Sequence, residues 1–258
     1  MESITISLVQ SDLAWENPGL NLKKFENVIR TLKDKTDLVL LPEMFSTGFS
    51  MNPQKLAETM EGETVQWIKR VSLENNVAIG GSVIIKENEK CFNRFIFAES
   101  QGNINYYDKR HLFRMAGEHE RFALGNERTI VEYKGFSFLL QVCYDLRFPV
   151  WMRNRSDYDG ILLVANWPGA RSDAWKKLIF ARAIENQCYV AAVNRVGIDG
   201  RGNDHSGDSM IIDFKGNAMA VATKNNEEII SVTLSKNELN DFKAKFPAWM
   251  DADDYKVS

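Results

Sequence analysis

The sequence predicts an α/β protein in which mixed β-sheets are covered by outer helices. Short apolar, strand-like runs alternate with longer segments of helical period. Several neighbouring strand-like runs are joined by hairpin turns instead of helices. This combination favours two mixed sheets over an all-parallel barrel. Periodicity alone leaves a doubly wound three-layer fold as the alternative.

The first half of the chain contains most of the predicted βα alternation. Strands are predicted at 4–9, 38–41, 77–85, 92–98 and 104–107, and helices at 19–35 and 64–75. Thr64 is the candidate N-cap of the second helix. Gln101-Gly102-Asn103 separates two strand-like runs and is typical of a hairpin turn.

The second half begins with a hairpin at Lys134-Gly135 and ends with a helix. Strands are predicted at 129–133, 136–142, 160–165, 189–194, 209–214, 218–222 and 229–234, and helices near 147–157 and at 173–186. No linker, low-complexity tract or repeat interrupts the chain. One domain over 1–258, with a C-terminal tail from about 235, is therefore expected.

The charge distribution argues against nucleic acid as a partner. Lys and Arg number 32 and Asp and Glu number 35, for a formal net charge of −3, and both signs are interspersed without a basic block. Apolar runs are far shorter than the ~18 residues of a membrane span, and the first ten residues do not resemble a signal peptide. A cytoplasmic protein without a membrane partner is expected.

The three cysteines, Cys91, Cys143 and Cys188, do not form a recognisable disulfide framework or zinc-site spacing. A chain of this length also buries enough surface to fold without disulfide bonds or a structural metal. No metal ligand set is predicted, and packing roles are expected for Cys91 and Cys188.

Cys143 differs from the other two cysteines because it lies at a predicted strand-to-helix turn. Backbone N–H groups at such a turn favour a thiolate and stabilise an oxyanion on a bound substrate. The alternative is that Cys143 is a small buried hydrophobe.

Two other charged residues follow predicted strands in the same way. Glu43 comes directly after the run 38–41 and a proline, and Lys109 comes at the exit of the run 104–107. Charges at such positions are costly to bury unless they are paired. Each residue taken alone also fits a solvated loop charge.

The three segments resemble the Glu, Lys and Cys motifs of the nitrilase superfamily, the carbon-nitrogen hydrolases, and occur in that family's order. They read Leu-Pro-Glu-Met-Phe at 41–45, Tyr-Asp-Lys-Arg-His-Leu-Phe at 107–113 and Cys-Tyr-Asp-Leu-Arg-Phe-Pro at 143–149. The resemblance extends through 166–168, 181–187 and 207–209, and so covers most of the chain to about 234. It implies a four-layer α-β-β-α sandwich with mixed sheets, and a homodimer, without a cofactor. The apolar stretch 242–249 is either a dimer contact or a docked tail.

The resemblance also implies a mechanism of amide hydrolysis. Cys143 would be the nucleophile and Glu43 the general base, while Lys109 and a backbone N–H near Tyr144 would stabilise the oxyanion. The family often carries a second glutamate seven residues before a glycine. Glu118 has that spacing, with Glu120 as the alternative.

Within the superfamily, the segments 174–178, 194–197 and 207–209 look most like the bacterial omega-amidases. Those enzymes remove ammonia from the terminal amide of 2-oxoglutaramate and 2-oxosuccinamate. A guanidinium is expected to bind the substrate carboxylate, with Arg147 and Arg171 as candidates, and Trp167 to line the pocket.

Two other functions remain open at this point. One is a related hydrolase acting on an N-carbamoyl amine, a deaminated peptide amide or a nitrile. The other is a catalytically idle binding or assembly module.

Overall fold

A computed structural model describes residues 2–253, whose strands form two six-stranded sheets and one short hairpin. The strands are β1 (Ser3–Gln10), β2 (Leu38–Leu40), β3 (Ala78–Glu87), β4 (Lys90–Ala98), β5 (Ile104–Asp108), β6 (Ile130–Tyr133), β7 (Phe136–Val142), β8 (Gly160–Ala165), β9 (Tyr189–Asn194), β10 (Val196–Ile198), β11 (Asp204–Ser206), β12 (Met210–Ile212), β13 (Ala218–Val221) and β14 (Glu228–Ser235).

Three long helices and several short ones connect the strands. The α-helices are α1 (Pro18–Leu32), α2 (Pro53–Leu56), α3 (Glu63–Asn75), α4 (Glu118–Arg121), α5 (Pro149–Met152), α6 (Ser172–Asn186) and α7 (Lys236–Lys245), and single 3₁₀ turns span Arg114–Ala116, Cys143–Arg147, Gly169–Arg171 and Ala248–Asp251. Within residues 2–253, no helix is both long and apolar enough to cross a membrane.

The two sheets have the same plan. Their strand orders are β14-β1-β2-β3-β4-β5 and β13-β12-β9-β8-β7-β6. In each sheet three central strands run parallel, namely β1, β2 and β3 in the first and β7, β8 and β9 in the second, while the flanking pairs are antiparallel. The parallel strands therefore direct their carboxyl ends to one edge of each sheet.

The sequence alternation sorts side chains between two apolar layers. Leu38 and Leu40 of β2 pack in the core shared with the second sheet, whereas Val39 and Leu41 pack toward α1 and α3. On the outer side of the second sheet, α6 contributes the buried Trp175. Helices thus cover both outer faces, which confirms the α-β-β-α sandwich and excludes the three-layer alternative.

Two local predictions were wrong. The helix expected near 147–157 is a 3₁₀ turn followed by the four-residue α5, because Pro149 lacks an N–H and disfavours a helical conformation at Phe148, whose φ is −115° and ψ 86°. Thr64 is not the N-cap of α3, since Gly62 occupies that position and Glu58 accepts the Thr64 N–H at 2.8 Å.

The C-terminal segment packs against the second sheet. Ser235 caps α7 by accepting the N–H of Glu238, Leu239 is fully buried, and Phe242 lies 4.9 Å from the ring of Phe214. The single domain over 1–258 stays a prediction, and its last five residues lie outside the described range.

Candidate active site

Cys143 lies at a sharp turn directly after β7. Its φ is 45°, a left-handed conformation that is costly for a residue with a Cβ. The turn ends the strand abruptly and begins the 3₁₀ segment Cys143–Arg147. This is the strand-to-helix geometry that the sequence indicated at this position.

The carboxylate of Asp145 holds this turn in place. It accepts the N–H of Val142 at 3.1 Å, the hydroxyl of Tyr107 at 2.9 Å and the N–H of His111 at 2.9 Å, and lies 2.8 Å from His111 Nδ1. The His111 ring stacks on Phe148 at 3.8 Å. Asp145 therefore ties the thiol-bearing turn to the segment that carries Lys109.

Glu43 and Lys109 meet in the interior, although they come from different strand ends. Both are at most 1% exposed, and Lys109 Nζ donates to Glu43 Oε1 at 2.8 Å. A buried charge needs a partner of opposite sign at this distance. Lys109 and Cys143 line the same cavity. The charges of Glu43 and Lys109 both act on the Cys143 thiol, as expected for a pair that lies beside it.

Glu118, and not Glu120, reaches this pair. Lys109 Nζ donates to both carboxylate oxygens of Glu118 at 2.9 Å, and the Phe113 N–H donates to Glu118 Oε2 at 2.6 Å. Glu118 is fully buried, whereas 67% of the Glu120 side chain is exposed. The cluster therefore contains two carboxylates and one ammonium.

Two asparagines complete the cluster, and the sequence interpretation gave neither a role. Asn93 Nδ2 donates to Glu43 Oε1 at 2.8 Å and to Glu118 Oε1 at 3.2 Å. The Asn166 N–H donates to Glu43 Oε2 at 2.8 Å. The available signal was weak: Asn93 lies beside Arg94 within a strand-like run, and Asn166 lies at the end of a buried strand.

Burial and charge shift the proton affinities of the cluster in different directions. Burial would lower the pKa of Lys109, but Glu118 and Glu43 outweigh it and hold that pKa above its usual value. Burial raises the pKa of Glu118, with Glu43 adding to the effect and Lys109 opposing it. Lys109 therefore stays a cation at neutral pH.

The resting thiol does not have the lowered pKa that the turn geometry predicted. Burial, and then the negative charge of Glu43, raise the pKa of Cys143 well above its usual value despite Lys109. The thiol is protonated at neutral pH, so its proton must be removed by a base during the reaction.

Cys143 opens into a cavity of about 550 Å³. Its wall includes all four predicted substrate-binding residues, Tyr144, Arg147, Trp167 and Arg171. The guanidinium of Arg147 lies 4.9 Å from the centre of a Trp167 ring, and that of Arg171 lies 5.1 Å from the centre of the Phe113 ring. The Trp167 indole is fixed by donating to the main-chain oxygen of Arg171 at 2.8 Å.

The β10–β11 hairpin, which the sequence reading did not predict, forms another part of this wall. Its turn presents Arg201 to the cavity. The Asp199 carboxylate accepts the N–H groups of Arg201 and Asn203, both at 2.9 Å. A Cβ at Gly200 would lie 2.4 Å from the ring of Trp15, so glycine permits the close approach of the turn to that ring.

Among residues 2–253, no group of three or more His, Cys, Asp or Glu side chains is arranged to hold a metal ion. The site has acid–base groups, a thiol and cationic wall residues. Such a set is suited to acyl transfer, in which a nucleophile, a base and an oxyanion partner act on one carbonyl.

Comparisons with known proteins agree with the resemblance seen in the sequence. The omega-amidase YafV of Yersinia enterocolitica is 44% identical over 255 residues, covering 99% of both chains. The 2-oxoglutaramate amidase of Bacillus subtilis (strain 168) is 34% identical over 252 residues, covering 96% of both. The crystal structure of XC1258 from Xanthomonas campestris, a CN-hydrolase superfamily protein with an arsenic adduct in the active site, matches over 100% of both chains, with a TM-score of 0.97 and 45% identity.

The family assignment covers nearly the whole chain, since residues 5–244 match the carbon-nitrogen hydrolases. The resemblance predicted from the Glu, Lys and Cys motifs is thereby confirmed. This chain belongs to the carbon-nitrogen hydrolase family.

Proposed function

We propose that this enzyme is an omega-amidase, which hydrolyses the terminal carboxamide of 2-oxoglutaramate or 2-oxosuccinamate to the dicarboxylic acid and ammonia. The observation that carries the proposal is the cavity, in which Cys143, Lys109 and the cationic side chains of Arg147 and Arg171 line one space. Relatives named omega-amidase and 2-oxoglutaramate amidase match at least 96% of the chain, which supports the same substrate class.

The first half of the reaction is acylation of Cys143. Glu43 takes the thiol proton as the sulfur bonds to the amide carbon, and the carbonyl electron pair moves to oxygen. Lys109 and the Tyr144 N–H stabilise that oxyanion. As the oxyanion collapses, Glu43 passes its proton to the nitrogen, the C–N bond breaks and ammonia leaves a thioester on Cys143.

The second half is hydrolysis of the thioester. Glu43 removes a proton from water as the water oxygen bonds to the thioester carbon, and the C–S bond then breaks. The proton returns to sulfur, which restores the thiol and releases the carboxylic acid. Glu118 contributes by holding Lys109 in place through two hydrogen bonds of 2.9 Å.

The charge of the cavity wall favours an anionic substrate. Arg147, Arg171 and Arg201 all line the cavity, and none of them forms an ion pair with a carboxylate among residues 2–253. Two carboxylates also line it: that of Asp199 is engaged in its own turn by the Arg201 and Asn203 main-chain groups, and that of Asp204 leaves the three guanidinium groups in excess. A guanidinium without a carboxylate partner is suited to the carboxylate of a 2-oxo acid monoamide.

A substrate panel tests this proposal. The wild type and Cys143→Ala are assayed for ammonia release from 2-oxoglutaramate, 2-oxosuccinamate, a simple aliphatic amide, an N-carbamoyl amine and a nitrile. A deaminated peptide amide is assayed for release of its amine, because its hydrolysis yields no ammonia. We expect the two 2-oxo acid monoamides to give the highest kcat/KM, and Cys143→Ala to release no ammonia above background. Preferred turnover of another class would replace the substrate proposal, and no turnover of any would favour the idle binding module.

We also propose a cytoplasmic homodimer. All three cysteines are unpaired thiols, as is usual in a reducing compartment. Phe246, Trp249 and Met250 expose apolar side chains near the C-terminal end of the chain, and Ile184 exposes one in α6, whose neighbour Gln187 donates to the Phe246 main-chain oxygen. A second copy would cover these side chains. Sedimentation analysis of the wild type and Ile184→Glu tests the dimer: a wild-type monomer would contradict it.

A further inference from the structure

One neutral amide lies between the two carboxylates of the buried cluster. Asn93 Nδ2 lies 2.8 Å from Glu43 Oε1 and 3.2 Å from Glu118 Oε1. Lys109 Nζ donates to the same two oxygens at 2.8 and 2.9 Å. One charged donor and one neutral donor therefore bridge the same pair of carboxylate oxygens.

The charge of this arrangement explains why a neutral donor suits it. Glu43 and Glu118 repel each other at this separation, and Lys109 supplies one positive charge against their two negative charges. A second cation at position 93 would neutralise the cluster and remove its capacity to accept a proton. Asn93 supplies hydrogen bonds to both carboxylates without adding charge.

The position of Asn93 is fixed through the backbone and the neighbouring residue. Its main-chain oxygen accepts the N–H of Lys109 at 3.0 Å. Arg94 binds Asp108 with two hydrogen bonds of 2.7 and 2.8 Å. Since Asp108 directly precedes Lys109, this ion pair keeps Asn93 and Lys109 in register.

The carbonyl half of the Asn93 amide does not explain why an amide occupies this position. Asn93 is fully buried, and its Oδ1 has no hydrogen-bond partner among the described residues. A buried acceptor without a partner costs about 1–3 kcal/mol. A leucine of similar size would avoid that cost but lose both Nδ2 hydrogen bonds, so the amide is explained by what its Nδ2 does.

We propose that Asn93 is a positioning residue for proton transfer, acting through Glu43 and Glu118. It holds the two carboxylates on Lys109 and sets the pH range in which Glu43 takes the proton of Cys143. This inference rests on the proposed amidase function for its kinetic readout, but its thiol chemistry can be measured without a substrate.

Asn93→Leu tests the proposal. We expect kcat to fall about 10- to 100-fold, which is about the contribution of one hydrogen bond to a charged group, with KM changed less than about threefold. Carboxylates that lose a donor hold a proton more tightly, so the acidic limb of the pH profile of kcat/KM moves to higher pH. Asn93→Thr, which keeps one hydroxyl donor, is expected to give a smaller shift and covers the case in which the leucine variant does not fold.

Asn75→Leu is the matched control, because it removes another buried amide, whose Nδ2 donates to the Val71 oxygen in α3. We expect it to leave the pH profile unchanged. A fall in kcat at Asn93 with an unmoved acidic limb, or a change in KM alone, would overturn the proposal and leave a structural role.

The rate at which iodoacetamide alkylates Cys143, measured against pH, gives a second readout. The acidic limb of this alkylation profile should also move to higher pH in Asn93→Leu. If the wild type hydrolyses no amide, the proposed function fails while this readout still tests Asn93. If the wild type is active and neither profile moves, the role of Asn93 fails alone.

Discussion

At the base of the cavity, Lys109 Nζ contacts three carboxylate oxygens within 2.9 Å. In the outer wall, by contrast, the guanidinium groups of Arg147 and Arg171 lie over aromatic rings, about 5 Å from the ring centres. The base is closed to solvent and its charges are paired. The wall keeps cationic groups without a carboxylate partner among the described residues.

This difference separates the fixed parts of the reaction from the recognition of its substrate. In the proposed mechanism, the groups that transfer protons and stabilise the oxyanion are held before substrate arrives, so they need little reorganisation during the reaction. The wall groups gain a partner only when an anion enters. Substitutions at the base should therefore change stability and kcat, and substitutions in the wall should change KM.

Lys109→Met is expected to have the largest effect. It leaves Glu43 and Glu118 buried without their cation, which costs about 3–5 kcal/mol of unfolding free energy, and removing an oxyanion partner costs about 10²- to 10³-fold in kcat. Chemical denaturation and steady-state ammonia release measure both. A variant as stable as the wild type would show that the cluster is not held by charge pairing.

Asp145→Asn tests the anchor of the thiol-bearing turn. The amide would place an N–H₂ group among donors that now give hydrogen bonds to a carboxylate, including Val142 N–H and the Tyr107 hydroxyl. We expect a loss of about 2–3 kcal/mol in unfolding free energy and a lower kcat. If the variant is destabilised but keeps its kcat, Asp145 stabilises the fold without being needed for the reaction.

The strand-end residues were predictable because each has a local sequence signal. Glu43, Lys109 and Cys143 all follow strands, and the alternation of apolar residues located those strands to within a few residues. The resemblance then supplied the partners, which no local pattern contains, since 66 positions separate Lys109 from Glu43.

Asn93 was not predictable in the same way. It lies within β4 beside Arg94, and both polar side chains are buried for different reasons on opposite sides of the strand. The pairing of β4 with β5 reveals the reason for Arg94, which binds Asp108. The partners of the Asn93 side chain, Glu43 and Glu118, come from elsewhere in the chain. The β10–β11 hairpin was missed for a related reason, because its two three-residue strands are too short for an alternation signal.

Arg147→Met and Arg171→Met test the recognition wall. We expect one of them to raise KM for 2-oxoglutaramate about tenfold or more, through loss of a charge-assisted contact, with kcat and thermal stability nearly unchanged. An amide without a carboxylate serves as the control substrate. If neither variant moves KM, the same measurement on Arg201→Met decides whether the hairpin holds the carboxylate.

The thiol of Cys188, like that of Cys143, is buried, and burial raises the pKa of both. Burial raises the pKa of Cys188 above its usual value of 9.0, so the folded protein keeps a proton that the unfolded chain loses above about pH 9. Its contribution to stability is therefore present below that pH and declines as the pH rises, by on the order of 1 kcal/mol at pH 10.

Cys188→Ala should flatten the alkaline decline in unfolding free energy between pH 8.5 and 10, a range of about one and a half units around the unfolded thiol pKa. Cys91→Ala serves as the comparison, because that thiol is only partly buried: burial raises its pKa as well, and we expect a smaller flattening. An unchanged alkaline slope in Cys188→Ala would contradict the assigned effect of burial.

Trapping the acyl-enzyme tests whether Cys143 is the nucleophile. The enzyme is mixed with 2-oxoglutaramate, quenched in acid within the first turnovers and digested for mass spectrometry, with Cys143→Ala treated in parallel. We expect a thioester of the 2-oxo dicarboxylic acid on the peptide carrying Cys143, and none on Cys91 or Cys188. Turnover with no adduct at Cys143, or ammonia release that persists in Cys143→Ala, would contradict it.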